Sequence, residues 1–329
     1  MIELRDNILA FQLSEVHERA SCAIDFQRTL RIPDDNKSYP LPPGLGAFPL
    51  HHIDDYAAKL PDEWVTHGGV FLPMYQSEAL WINFSGSYPC AIKIAAGKIN
   101  AVVGSRWSGA LSEDEQDYVV VPEQPWLDGF NVAEDYIRQF VAMPLGEGFS
   151  AEEQITGRAE HGGLQVIVYP MKRELYERLA ACEGNAIEFS YEDTPAFCRI
   201  NESTMGLAPG GLMRQKIYDD PYGVNVWDQD NGVKCFVHLV NSEVYAEVTG
   251  SLPPHNPPTA ENYNKAGLPW FDYYSDVGSV KGSSILTSLT GLGAMFIKKK
   301  GQPLSDNDSV DTRIVKSLRK ASIVRQGSF

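Results

Sequence analysis

The sequence predicts an α+β protein, mainly β, whose antiparallel strands build a β-sandwich or barrel-like sheets with a few short helices between them. Three observations carry that prediction. From Gly69 onward, short apolar runs (VFLPMY, ALWINF, AIKIAA, INAVVG, YVVVP and LQVIVYP) recur between Gly, Pro, Ser and Asn clusters at the spacing of a sandwich or barrel. Upstream, Ile24, Phe26, Leu30 and Ile32 alternate with Asp25, Gln27, Thr29 and Arg31, which gives a strand one buried and one wet face, interrupted only by Arg28. Helix signals, by contrast, are short and scattered.

In chain order, the strand around Ile24 is followed by PDDNKSYPLPPGLGAFP, whose prolines predict an extended crossing without regular structure. Asp54 to Trp64 reads as a short helix interrupted at Pro61. Val132 to Met143 reads as a strand, because its apolar residues run into Pro144 without a convincing helix cap. Ser150 and Glu153 form a capping box for a helix that stops at Gly157, and Lys172 to Cys182 places Leu175 and Leu179 on one helical face. Further on, AIEFS and KCFVHLV read as strands and SLPPHNPPT as a rigid proline-rich linker. Thr259 to Lys265 and Ser283 to Leu292 read as short helices. These elements suggest a β-rich N-terminal domain over residues 1–171, an α+β domain over 172–297 and a basic tail over 298–329.

A chain of 329 residues with 43% hydrophobic content can bury a large core, which excludes wholesale disorder. Its net charge of −15 argues against nucleic acid as a partner, since phosphate binding needs a concentrated basic surface. The first twenty residues carry too many charges for a secretory leader, and no run reaches the roughly 20 apolar residues of a membrane span. A cytoplasmic protein with no transmembrane segment is expected. The five cysteines have no CxxC pair, so free thiols are expected. Between Phe296 and Phe329, eight basic residues face Asp306, Asp308 and Asp311, giving this segment +5. Val310, Ile314 and Leu318 recur at four-residue steps there, so the tail can form an amphipathic helix that docks on the acidic body or on a second subunit.

Several motifs carry potential chemistry, each with a structural alternative. His67-Gly-Gly and His161-Gly-Gly each lead through an apolar run to Pro-Met. They can supply backbone amides to an oxyanion, or simply mark turns that need positive φ; no GxSxG nucleophile elbow accompanies them. His51-His52-Ile53-Asp54-Asp55 gathers metal-ligand types, yet adjacent strand residues point to opposite faces and a third ligand would have to come from elsewhere, so a solvated helix start with Asp in its first turn is the better explanation. Asp228-Gln-Asp230-Asn231-Gly232 resembles the opening of a calcium loop but lacks the Glu at its twelfth position, and a hairpin turn accounts for the same residues. GLAPGGLMRQK is a glycine-rich run followed by two bases, either a phosphate cradle or a tightly packed connection. His238, inside a β pattern, reads as a core histidine, and the Trp270-Phe-Asp-Tyr-Tyr274 cluster as a core or interface plug that could also bind sugars or peptides.

The segments RTLRIPDDNKSYPLPPGLGAFP, HGGVFLPMYQSEALWINF, HGGLQVIVYPMK, MGLAPGGLMRQKIYDDPYG and GLPWFDYY resemble a family of conserved hypothetical proteins of bacteria and fungi, over most of the chain from Asp25 to Tyr274. That family has no assigned activity, so the resemblance supplies no site residues. The residues therefore favour a non-catalytic β-rich binding or self-assembling protein, with a protein partner or a second copy as its ligand and no cofactor. The alternative is a metal-dependent or hydrolytic enzyme drawing on His51, His67, His161, Asp54 and Asp228; one pocket holding at least three of them would favour it.

Overall fold

The computed structural model describes residues 1–183, 204–273, 278–312 and 314–318. Strand outweighs helix, and two large sheets dominate. The first has ten strands, with a main path of Ile2–Arg5, Ile8–Gln12, Ser21–Thr29, Ala79–Ser85, Tyr136–Pro144, Met205–Arg214 and Ser38–Tyr39. Trp126–Leu127 pairs beside Ala79–Ser85, Gly129–Ala133 beside Tyr136–Pro144, and Gly44–Ala47 beside Ser21–Thr29. The second has seven strands and runs Ile99–Asn100, Cys90–Ala96, Leu164–Pro170, Val233–Asn241, Val70–Met74 and His51–His52, with Val119–Val121 also on Cys90–Ala96.

The main core gathers Phe11, Ile24, Phe26, Ile82 and Phe84 of the first sheet with Ile92, Ile94, Val166, Val168 and Val237 of the second. The sheets therefore pack as a sandwich, and neither closes on itself among the described residues. Most pairings are antiparallel, as expected, but Met205–Arg214 with Ser38–Tyr39 and Val233–Asn241 with Val70–Met74 are parallel. Both large sheets take strands from either side of residue 171, so the core does not divide there.

Arg28, the one interruption in the buried face of Ser21–Thr29, is itself buried and paired with Glu78 at 2.6 Å. Its other contact, a 2.6 Å bond from Nη2 to the carbonyl of His255, ties the proline-rich 251–259 segment to the sandwich. The capping box of Ser150 and Glu153 forms as predicted, with Gly157 left-handed at the helix end.

Four local expectations need correction. Val132 to Met143 is a hairpin turning at Asp135 (φ 64°), not one strand. INAVVG extends as a strand only over Ile99–Asn100, because Asn100 Oδ1 accepts the backbone N–H of Val102 and of Val103 and curls the chain away from the ladder. The Ser283 to Leu292 helix splits into Ser284–Thr287 and Leu292–Lys300; the side chain of Gln154 bonds both the N–H and the carbonyl of Thr290 and draws that residue out of the helical ladder. In the basic tail, Val315–Leu318 is a strand parallel to Trp270–Tyr273, and not a turn of amphipathic helix. The exposed backbone of Trp270–Tyr273 offers a ladder to a segment rich in β-branched residues, and the Trp270 N–H bonds the Ile314 carbonyl at 2.8 Å. Upstream of it, Ser305, Asn307 and Ser309 bond Arg31, Asp34 and Lys37, so residues 305–309 also lie on the body. The expected strand AIEFS falls outside the described residues.

Candidate functional site

The two HGG motifs meet on either side of one strand. Val70 and Leu164 both pair with Val237, the first in parallel and the second in antiparallel register. Gly68, Gly69, Gly162 and Gly163 all have positive φ, and a Cβ on Gly69 or Gly163 would strike the carbonyl oxygens of Phe236 or Val237 at 2.1 and 2.5 Å. Close backbone approach thus explains the glycines, and the shared motif reflects a shared turn requirement with different strand pairing.

The histidines of these turns come together in an aromatic stack. His67 lies 4.7 Å over Phe236 at 7°, Phe236 lies 4.3 Å from His238, and His238 stacks on Trp64 at 4.5 Å. His161 meets His67 edge-on at 6.5 Å. Burial pushes His238 down to about 3, against the pull of its 3.2 Å bond with the Gly68 carbonyl, so it stacks as a neutral ring. His67 is lowered for the same first reason, partly offset by Glu63.

Of the five candidate residues, only His67 and His161 meet. His51 sits on the outer flank of the same sheet, 2.6 Å from the Tyr245 hydroxyl, and burial lowers it to about 4. Asp54 opens a short 3₁₀ helix and is exposed. Asp228 closes its own turn through the N–H and side-chain amide of Asn231, at 3.2 and 2.9 Å. Among the described residues, no group of three or more His, Cys, Asp or Glu side chains is arranged to hold a metal ion. The GLAPGGLMR run is a buried central strand, Met205–Arg214, its glycines admitting Val141 and Ile32 across the sheet.

A different constellation occupies the outer face of the ten-stranded sheet. Along Ala79–Ser85, Leu80 and Ile82 are fully buried and Phe84 nearly so, while Trp81 and Asn83 point the other way and are half-buried. Register then lines up Trp126, Asn83 and Asp25 across three strands, with Trp81 opposite Gln27 in the next row. The Asp25 carboxylate accepts Gln27 Nε2 at 2.5 Å and Asn83 Nδ2 at 2.7 Å. The two indoles stand 6.4 Å apart at 78°, and Tyr273 meets Trp126 edge-on at 4.9 Å.

Trp126 is held from beneath by buried polar groups. Gln124 Nε2 donates to its carbonyl at 2.8 Å, and the Gln215 side chain clasps Asp128 two residues on. The Trp126 indole N–H lies near enough to the Asp128 carboxyl group to favour its ionised form. Burial pushes Asp128 up to about 7, with the bonds from Trp126 and Gln215 pulling it back. A half-buried tryptophan whose backbone is held by nearly inaccessible glutamines is a preorganised contact surface. Beside it the exposed Gly44 carries no side chain, and a Cβ there would come to 3.6 Å of the Trp81 ring.

A cavity of about 930 Å³ lies elsewhere, between residues 146–159 and 285–299. Its charged groups have structural work: Glu153 accepts the N–H of Gly146, Gly148 and Ser150, and Lys298 and Lys299 lie in the last turn of a helix, whose carbonyl end favours cations.

Comparison of the chain with protein-family models, curated proteins and solved structures finds no match. No described helix is long and apolar enough to cross a membrane. The indole pair escaped sequence reasoning because its members are 45 residues apart on strands whose register the sequence does not state. The alternation in ALWINF, with Trp81 and Asn83 on the side opposite the core residues, was the available signal.

Proposed function

We propose that the protein is a non-catalytic binding protein that seats its ligand on the outer face of the ten-stranded sheet, over Trp81 and Trp126. The observation that carries this reading is the pair of half-buried indoles, Trp81 and Trp126, on the outer face of the sheet, with the Trp126 backbone carbonyl held by the buried side chains of Gln124 and Gln215 at 2.8 and 3.3 Å. One side of Trp126 packs on the cluster around Trp270 and Tyr263, and a ring whose backbone is held in place beforehand gives a ligand on its remaining surface more affinity. The reading places the protein in the cytoplasm, in keeping with its buried thiols at Cys22, Cys90 and Cys235. A thermal-shift screen of small polar compounds tests it: ligands should stabilise the native protein and leave the Trp81→Ala/Trp126→Ala double variant unmoved. Equal stabilisation of both proteins would refute the assignment.

Self-association is a second reading, supported by Ile314, Val315 and Leu318, which are more than two-fifths exposed on and beside the strand Val315–Leu318. Among the described residues no strand pairs with that strand's outer edge, which is a template for a second copy. Truncation after Thr312 should then lower the mass measured by light scattering; an unchanged mass contradicts it.

A further inference from the structure

Resting on the binding-protein reading above, we infer that the ligand seated at Trp81 and Trp126 is a neutral carbohydrate, one pyranose ring of which lies against the indoles. The two rings, 6.4 Å apart and 78° from coplanar, make a corner with one indole as floor and the other as wall. The C–H face of a pyranose is flat and apolar and packs on such a floor, while its hydroxyls project from the edge and need hydrogen-bonding groups beside the aromatic surface.

Those groups are present in the adjoining rows. Asp25 has both carboxylate oxygens engaged, one by Gln27 and one by Asn83, which orients each amide. Each amide keeps one N–H and its carbonyl oxygen without another partner among the described residues. The two amides that Asp25 orients therefore offer donors and acceptors side by side, the pattern that adjacent hydroxyls, each both donor and acceptor, can satisfy.

Charge narrows the class further. None of Asp25, Gln27, Trp81, Asn83 and Trp126 carries a positive charge, so phosphorylated and acidic sugars find no counter-ion there. A cation over the indoles is the rival ligand. It is disfavoured because Asp25 is 7% exposed with both oxygens already engaged, and so is a poor counter-ion.

The test uses the full chain, titrated calorimetrically with soluble neutral oligosaccharides of glucose, xylose and mannose, and in parallel with choline and a lysine-rich peptide. Trp81→Ala and Asn83→Ala are the variants, each checked for native thermal stability. The expected result is binding of at least one neutral oligosaccharide, weakened tenfold or more by either variant and unchanged between low salt and 0.5 M sodium chloride, because screening acts on charged ligands. Binding of choline or the peptide alone, abolished by Trp81→Ala, would overturn the carbohydrate assignment and leave the seat standing. If neither set binds, and the compounds that stabilise the protein do so through other residues, the carbohydrate assignment and the seat fall together.

Discussion

Gln215 and Asp128 are joined twice: Gln215 Nε2 donates to the Asp128 carboxylate at 2.8 Å, and Gln215 Oε1 accepts the Asp128 backbone N–H at 2.9 Å. The same Gln215 Nε2 lies 3.3 Å from the Trp126 carbonyl, so the clasp ties the backbone that carries the indole to a buried carboxyl group. Its pKa of about 7, raised by burial, makes it a proton carrier near neutrality.

The folded chain holds the Asp128 proton up to about pH 7, while an unfolded aspartate releases it near pH 4. Between those values the folded state binds more protons, so this group's contribution to stability is full below pH 4 and falls as pH rises to 7. Asp128→Asn removes the titration. Its melting temperature relative to wild type should rise from pH 5 to pH 8, and parallel profiles for the two proteins would show that Asp128 does not titrate there.

His238 and His51 act in the opposite direction. Both are lowered by burial, to about 3 and about 4, so the unfolded chain takes up their protons first and stability falls as pH drops below about 6.5. Each imidazole can contribute a slope of up to about 1.4 kcal/mol per pH unit in that window. His238→Phe keeps an aromatic ring between Phe236 and Trp64 and cannot be protonated. Denaturant melts between pH 4.5 and 6.5 should show a shallower loss for the variant; an equal loss would mean His238 is not buried neutral.

Lys93 and Asp117 form an ion pair at 2.5 Å with both side chains almost wholly inaccessible, and Lys93 also donates to Ser108 Oγ and the Ala110 carbonyl. The pair pins the 108–117 loop onto the seven-stranded sheet. Lys93→Met alone leaves a buried carboxylate without its cation and should cost about 3–5 kcal/mol. Lys93→Met with Asp117→Leu should recover much of that loss in urea melts. A double variant as unstable as the sum of the singles would indicate that the loop's hydrogen bonds, and not the unpaired charge, set the cost.

Local patterns were legible wherever the signal was contained in a few residues. The strand runs ALWINF and LQVIVYP, the Ser150 and Glu153 cap, and the glycines of the HGG turns all appear in the structure at their expected places. What failed depended on partners distant in sequence. Gln154 breaks a helix more than a hundred residues away, and Trp270–Tyr273 turns an amphipathic pattern into a strand. The candidate site was the least legible part, because a sheet face is defined by register. Nothing local in Asp25, Asn83 and Trp126 says that they share a row. The histidines drew notice as chemistry-bearing residues, yet His67 and His238 lie in a ring stack and His51 against a tyrosine hydroxyl.

The ligand seat is tested most directly by the six indole N–H resonances of ¹⁵N-labelled protein during titration with a compound that stabilises it. Trp64, Trp107 and Trp227 are internal controls, since they belong to clusters other than the one Trp126 packs against. The expected result is concentration-dependent shifts confined to Trp81 and Trp126, absent in Asn83→Ala at the same ligand concentrations. Shifts at Trp64 or Trp107 with Trp81 and Trp126 unmoved would place the ligand elsewhere and contradict the assignment of the outer sheet face.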